Sequence, residues 1–449
     1  MRRKRKISGR RISGRRNQQG VIITLVAVFM LFVIGAMAAL SVDVVTLYTA
    51  RSEAQLAADA AALAGARVLA NSGMTSDPTG GLIAGAETLA SAVALQVGQQ
   101  SQVGGRNLVA ANGEVVVVGF SGTATNPCPA ANPAQTNPCI TVQVQRTDLP
   151  TFFARIWGTT KVTVTASATA EAYNPSGASA LGVPMPPVAP ICVKPWLLPN
   201  MDPSPGGTTI FDPTTGAITK AGLLGFSSTT GATRLRDACA AGNCSVVPLP
   251  APVAWKYYPG DTATTFQPPP AWPTCTPALT TPYEESVAGC VQTPLSCNDT
   301  ANIDTSDYGF LRNTETMDAV NCLTHSATNQ GDTVDPNYGP PVSPFEFLTG
   351  LGNPIPGLAA NQVDVMVSDS LVTVPVFSST PGTPPTSPVT IIGFVQLFLN
   401  PDGMSNSAPN TGHVKTTVIN MAGCGTSAAG NPIIGNGASP VAVRLISPP

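Results

Sequence analysis

The chain has 449 residues, 43% of them hydrophobic and only 11% charged, with 44 prolines and 42 glycines. That is enough apolar material for real cores, while a charge content well below the usual quarter, with so much Pro and Gly, points to loops and short strands. The net charge of −2 hides an asymmetry: Arg2, Arg3, Lys4, Arg5, Lys6, Arg10, Arg11, Arg15 and Arg16 precede any acid, leaving 14 basic against 25 acidic residues and a formal −11 for the rest. This excludes nucleic acid as the partner, because phosphate contacts need basic groups on the folded surface.

The basic tail, residues 1–20, leads into an uncharged stretch that begins at Val21 and ends at Leu40, with Thr24 its single polar side chain. At about 1.5 Å per residue, residues 21–40 as a helix cover the roughly 30 Å core of a bilayer. Positive charge on the N-terminal flank, and Asp43 just past the other, predict a cytoplasmic N-terminus with the bulk of the chain outside. A cleaved signal peptide is the alternative, with Ala36-Met37-Ala38 as the small-residue site, although the apolar run exceeds the usual length. A twin-arginine signal at Arg15-Arg16 is weaker, because Asn17-Gln18-Gln19 follows. All three place the mass outside the cytoplasm.

Asp43 can mark the outer boundary of the apolar stretch or pair with a basic group on a partner helix; boundary carboxylates are the commoner case. Helical character continues to Ala70 and stops at Asn71-Ser72-Gly73. Leu47, Ala50, Ala54, Ala57, Ala61, Ala64 and Val68 recur at alternating spacings of three and four, a packing seam of heptad type. A second helix, about residues 81–99, presents Leu82, Ala86, Leu89 and Val93. The two form either an antiparallel hairpin, which short connections favour, or an intermolecular coiled coil.

Strands follow at 115–118 and at Ile140, Val142 and Val144. Thr151 can cap a short helix over residues 151–157, with Phe152, Phe153 and Ile156 on one face and Gly158 as its stop. Alternation from Val162 to Ala170 is the cleanest strand signal. Residues 41–173 thus read as an α+β module, a helical hairpin on a small β-sheet. Residues 174–356 are Pro- and Gly-rich without periodicity and hold seven of the ten cysteines. Residues 357–449 return to strands, around Val363 to Val367, Val372 to Val376, Ile391 to Leu399, Val414 to Val418 and Val441 to Leu445, a β-rich module. The fold class expected is α+β: one transmembrane helix continuing outside the membrane, the hairpin on its sheet, then an irregular, β-rich, disulfide-braced C-terminal region.

Cys128, Cys139, Cys192, Cys239, Cys244, Cys275, Cys290, Cys297, Cys322 and Cys424 all lie beyond the first helix. An even number in a loop-rich chain reads as disulfides of an oxidising compartment. Close spacing nominates Cys128 with Cys139, Cys239 with Cys244, and Cys290 with Cys297. There is no CxxC pair and only His325 and His413 as histidines, so zinc is not expected.

Gln19-Gly20, the apolar span, Ser41-Val42-Asp43-Val44, Leu47-Tyr48, Arg51 and Gln55-Leu56-Ala57-Ala58-Asp59-Ala60-Ala61-Ala62-Leu63-Ala64-Gly65-Ala66 closely resemble the N-terminal region of TadG-like proteins of the tight-adherence (Flp pilus) machinery. The resemblance covers about residues 17–173, with Phe152-Phe153-Ala154 and Ala168-Thr169-Ala170-Glu171 near its end. It implies an accessory envelope component, anchored in the inner membrane by one span and working with other pilus-assembly or envelope proteins. Gly20 is followed by Val21, Ile22, Ile23, Thr24 and Leu25, without the glutamate that prepilins of this system carry five positions after their cleavage glycine. Some TadG-like proteins carry a von Willebrand type A metal motif; the nearest match, Asp304-Thr305-Ser306-Asp307-Tyr308, lacks its last serine.

Catalytic signatures are missing: there is no Gly-x-Ser-x-Gly elbow, phosphate loop or His-Glu-x-x-His helix. His325 and His413 read as turn or surface residues, and Glu284-Glu285 as solvated acids. No cofactor, metal or small-molecule substrate is expected. The alternatives to a pilus-assembly component are an envelope hydrolase with an unrecognised site in residues 174–449 and a surface adhesin unrelated to pili.

Overall fold

The computed structural model describes residues 16–449 apart from 78–79, 122–127, 129–136, 177–184, 201–207, 220–274, 280–281, 290–293, 302–312, 326–330, 336, 339–342, 354–356, 363–367, 380–387, 405–413, 436–438 and 447–449. The expected strand at Val363 to Val367, the Asp304 motif, His413, Cys239, Cys244 and Cys290 lie outside the described residues.

In chain order, helix α1 is Arg16–Asn71 and α2 is Ile83–Gln100. Strands β1 (Val115–Ser121), β2 (Cys139–Pro150) and β3 (Lys161–Tyr173) follow. Then come β4 (Leu198–Pro199), α3 (Pro282–Ala288), β5 (Thr300–Ala301) and α4 (Asn313–Leu323). The chain closes with β6 (Leu371–Phe377), β7 (Val389–Met404), β8 (Val414–Gly423) and β9 (Ala442–Ile446).

α1 is one rod of 56 residues, roughly 84 Å long, with two halves of different character. From Ile22 onward its first half exposes large apolar side chains on all sides: Leu25, Phe29, Leu31, Phe32 and Met37 are each more than 60% exposed. Its second half lies against α2 and the first sheet, where Ala50, Ala54, Ala58, Ala62, Ala66 and Ala70 are buried in a row four residues apart. α2 answers with Ala86, Ala90, Ala94 and Gly98, again four apart. Small side chains at this spacing form shallow ridges that let backbones approach closely.

Of the expected seam, Ala50, Ala54, Ala57, Ala61 and Val68 are buried, Leu47 packs from the rim, and Ala64 is only half-buried. Gly65 and Leu69 take over the inward positions. This half of α1 is covered on two sides, by α2 and by the first sheet, so its buried face is wider than a single heptad stripe and takes in Gly65 and Leu69 as well. On α2, Ala90 and Ala94 are the fully buried positions, and Leu89 and Val93 are only partly buried. The seam is used within the chain, in an antiparallel helical hairpin.

The hairpin covers a four-stranded antiparallel sheet ordered β9–β3–β2–β1. Ile140, Val142 and Val144 of β2, with Val164, Ala166, Ala168 and Ala170 of β3, form its inner face. The edge strand β9 comes from the far end of the chain: Ala442 pairs with Tyr173 and Ile446 with Thr169. The strand expected around Val441 to Leu445 therefore completes the first sheet, not the C-terminal one. β3 has two faces to bury along its last residues, and Thr169, Glu171 and Tyr173 are all buried.

The second sheet runs β8–β7–β6–β4, with β5 paired to the start of β7. Aperiodic residues of the middle segment fill the same core: Val193, Trp196, Leu197, Ile210, Phe211, Val287, Ala319 and Val320 pack with Val374, Phe377, Phe394 and Leu397. Cys275 bonds Cys322, and Cys128 bonds Cys139. The expected Cys290–Cys297 pairing is corrected, since Cys297 bonds Cys424, with Cα atoms 6.2 Å apart. Both lie beside one strand: the Asn298 amide donates to the Ile391 carbonyl at 2.8 Å and the Cys424 amide to the Ile392 carbonyl at 3.0 Å. Pairing across the sheet overrides nearness in sequence.

The end of α1 docks on the second sheet. The Asn420 side chain donates to the Ala70 carbonyl at 2.6 Å and to Gln396 Oε1 at 2.8 Å. Ser76 Oγ donates to the Met421 carbonyl, and Asn174 Nδ2 reaches the same oxygen at 3.0 Å.

Gly65 marks the tightest passage in the first core, because a Cβ there would lie 2.6 Å from Ile140 Cδ1 and 3.3 Å from the Ala90 carbonyl oxygen. Gly65→Val is expected to cost about 1–3 kcal/mol by overpacking. Adding Ile140→Ala should recover part of the loss. Thermal unfolding of both variants in detergent, with strictly additive losses, would contradict this packing.

Candidate membrane-proximal site

Asp43 sits three positions beyond the uncharged run, and its carboxylate is 4% exposed. Asp43 also makes a contact that neither sequence reading named. Its Oδ1 accepts the Phe152 amide at 2.9 Å, and its Oδ2 accepts the amides of Phe153 at 3.0 Å and Ala154 at 2.7 Å. These three consecutive N–H groups open a single 3-10 turn, Ala154–Trp157, at the tip of the β2–β3 hairpin. A carboxylate at such an N-terminus meets both unpaired donors and the positive end of the local dipole.

The short helix expected over residues 151–157 is thus one tight turn, and Asp43 caps it in place of Thr151. The Thr151 hydroxyl donates across the tip to the Thr159 carbonyl instead. Gly158, at φ 92°, ends the turn as the sequence indicates. Sequence reasoning missed this contact because backbone amides carry no residue signature.

A charged network braces the end of β2 next to the tip. The Arg106 guanidinium bonds Glu114 and lies 2.6 Å from Asp148 Oδ1, which also accepts Arg146 Nε at 2.9 Å. Side-chain bonds from Arg106 and then Arg146 hold the Asp148 carboxyl down to about 2. Arg146 also donates to the carbonyls of Val103 and Gly104, and the Gly104 amide donates to Glu53 Oε2 of α1 at 2.6 Å. The hairpin is therefore tied to α1 directly at its tip by Asp43 and, through Arg146 and Gly104, indirectly at Glu53.

Elsewhere, His325 adopts a left-handed backbone at φ 54°, and its Nε2 lies 3.2 Å from Asp369 Oδ2, a turn-type setting. Glu284 is a correction: it is buried on α3, not solvated. Burial, and then the charge of Glu284, raise the carboxyl of Asp318 on the neighbouring α4. Lys194 is buried in the second core, where its Nζ donates to the Gly289 carbonyl. Burial holds this ammonium down to about 7. Among the described residues no group of His, Cys, Asp and Glu could hold a metal ion.

Two expectations follow. Asp43→Ala strips a charged acceptor from three amides, a loss of about 1.5–3 kcal/mol, so hydrogen exchange over residues 151–158 should accelerate roughly tenfold to a hundredfold. Unchanged exchange there would remove Asp43 as the cap. Lys194 releases its proton near pH 7 when folded but near 10.5 when unfolded, so the unfolded chain binds more protons between these values and stability rises with pH across that window. Lys194→Met should flatten the rise in melting temperature; an identical slope in both proteins would show that Lys194 does not cause it.

Residues 20–68 match the family model described as "Putative Flp pilus-assembly TadE/G-like". Neither a curated protein nor a solved structure matches the chain. The matched segment runs from the apolar half of α1 through Asp43 and the alanine rows to Val68, so the helix that carries this site is the part of the chain that is similar to TadE/G-like proteins of Flp pilus assembly.

Proposed function

We propose that the chain is a membrane-anchored, non-enzymatic accessory component of a Flp (tight-adherence) pilus assembly or secretion apparatus. Its N-terminus lies in the cytoplasm, α1 crosses the bacterial inner membrane once, and both sheets stand outside. The observation that carries this reading is the coincidence of the family match with α1: the matched residues 20–68 hold the apolar anchor and the small-residue rows that seat α2 and the first sheet. α1 is long and apolar enough to cross a membrane, with a best-window mean hydropathy of 2.7, and the nine basic residues of the tail favour the orientation given.

Within this role the folded module is a docking body held at a fixed height above the membrane by a continuous helix. Its partners are other pilus-assembly or envelope proteins. The seam of α1 is occupied inside the chain, so partners meet the outer surfaces of the module. An envelope hydrolase is the second reading, and the juxtaposed acids Glu284 and Asp318 are the observation that favours it.

Deleting the gene in its own host should abolish surface pili and adherence. The full chain should restore both, as should a chain carrying Glu284→Gln and Asp318→Asn. Normal pili without the protein would overturn the assembly role. Failure of the double variant, despite normal abundance, would favour the hydrolase. Protease added to spheroplasts should digest the C-terminal mass, and its protection would reverse the topology.

A further inference from the structure

The tip of the β2–β3 hairpin carries Phe152 at 62% and Phe153 at 37% exposure, and each donates its amide to Asp43 while its ring faces outward. The height of this tip is fixed by α1. If residues 21–40 fill the hydrocarbon core, Asp43 stands about 4.5 Å beyond it, inside a headgroup zone of roughly 5–8 Å per leaflet.

On the same assumption the tip lies at the bilayer end of the first sheet. Gln55 Nε2 donates to the Ser167 carbonyl at 3.2 Å, which sets the register of β3 along α1. From Gln55 back to Asp43 the helix descends about 18 Å, and from Ser167 back to Lys161 the strand descends about 20 Å. β3 therefore begins level with Asp43, and residues 151–160 turn at or below that level.

α1 itself shows that apolar surroundings extend past Leu40. Val42, Val44, Val45 and Tyr48 are 47–78% exposed. The hydroxyls between them turn back onto the helix: Ser41 Oγ donates to the Ala38 carbonyl at 2.6 Å, Thr46 Oγ1 to Val42 at 2.9 Å and Thr49 Oγ1 to Val45 at 3.0 Å. Hydroxyls satisfied in this way need no water. The one carboxylate in the band, Asp43, is covered by the tip.

Resting on the anchor reading above, we propose that the β2–β3 hairpin tip is a second membrane contact, with Phe152 and Phe153 seated in the outer-leaflet headgroup region. The occupant of this surface is lipid. Aromatic side chains favour that layer, and the exposed cations Arg155 and Lys161 at the ends of the tip suit anionic headgroups. A rod crossing alone can spin and tilt freely. A second contact fixes both, and with them the direction in which the sheets face.

The test uses the full chain in phosphatidylethanolamine–phosphatidylglycerol liposomes whose acyl chains carry bromine either near the headgroups or near the bilayer centre. Phe152→Trp and, as a reporter of the span, Phe32→Trp are compared with the unsubstituted chain for the emission each adds. Shallow bromines should quench the added Phe152→Trp emission severalfold more than deep ones, and Phe32→Trp should show the reverse. Quenching of Phe32→Trp without any of Phe152→Trp overturns the hairpin contact and leaves the anchor standing. With neither quenched, the anchor reading falls and this one with it. A tip shielded only after pilus-assembly proteins are added would assign the surface to protein and also overturn the proposal.

Discussion

Everything in this molecule hangs from the unbroken backbone of α1, whose hydrogen-bond ladder crosses from an all-round apolar surface to a surface of alanine rows without a bend in the chain. A helix is the simplest element that satisfies its own polar groups in both lipid and a protein core. What changes along it is side-chain size alone. Large residues from Ile22 to Met37 are exposed, and small ones from Ala50 to Ala70 are covered. The apolar window of the first half is not buried, whereas the second half admits two layers at close range because alanine and glycine keep the backbones near. Asp43 stands where these regimes meet, and its charge is absorbed by amides of the same chain.

The sequence discloses these features unequally. The long apolar helix, its stop at Asn71 to Gly73 and the alternation of β2 and β3 are local signals that the structure repeats, because each is set by neighbours along one element. The seam was legible only in part, because a heptad template marks one stripe while α1 buries a wider face between α2 and the first sheet. Contacts that join distant positions left no such trace. Asp43 to residues 152–154 is a bond between a side chain and backbone, and Cys297 to Cys424 is decided by which strands lie side by side. The same holds for β9: its alternation announces a strand, and nothing in it says that Tyr173 is the neighbour.

Return of the C-terminal strand to the first sheet changes what the middle segment can be. Residues 174–441 leave β3 and come back to it, so the second sheet is held at both ends by the first. Asn420, Ser76 and Asn174 then fasten the end of α1 to β8 between those ends. Aperiodic, proline-rich sequence fits this arrangement. Its apolar residues need only fill one face of a sheet whose outline is set by β6, β7 and β8, and disulfides limit the freedom of loops that secondary structure does not restrain.

Orientation follows from the same connections. α1 sets the height of the first sheet, the hydrogen bond from Gln55 sets the register of β3, and the bonds to Asp43 and, through Arg146 and Gly104, to Glu53 set the hairpin against the helix at two points. Two separated ties resist rotation about the helix axis in a way that one cannot. In the anchored arrangement proposed above, the folded mass would be held in a defined direction, and the orientational cost of docking falls when the approach is already constrained.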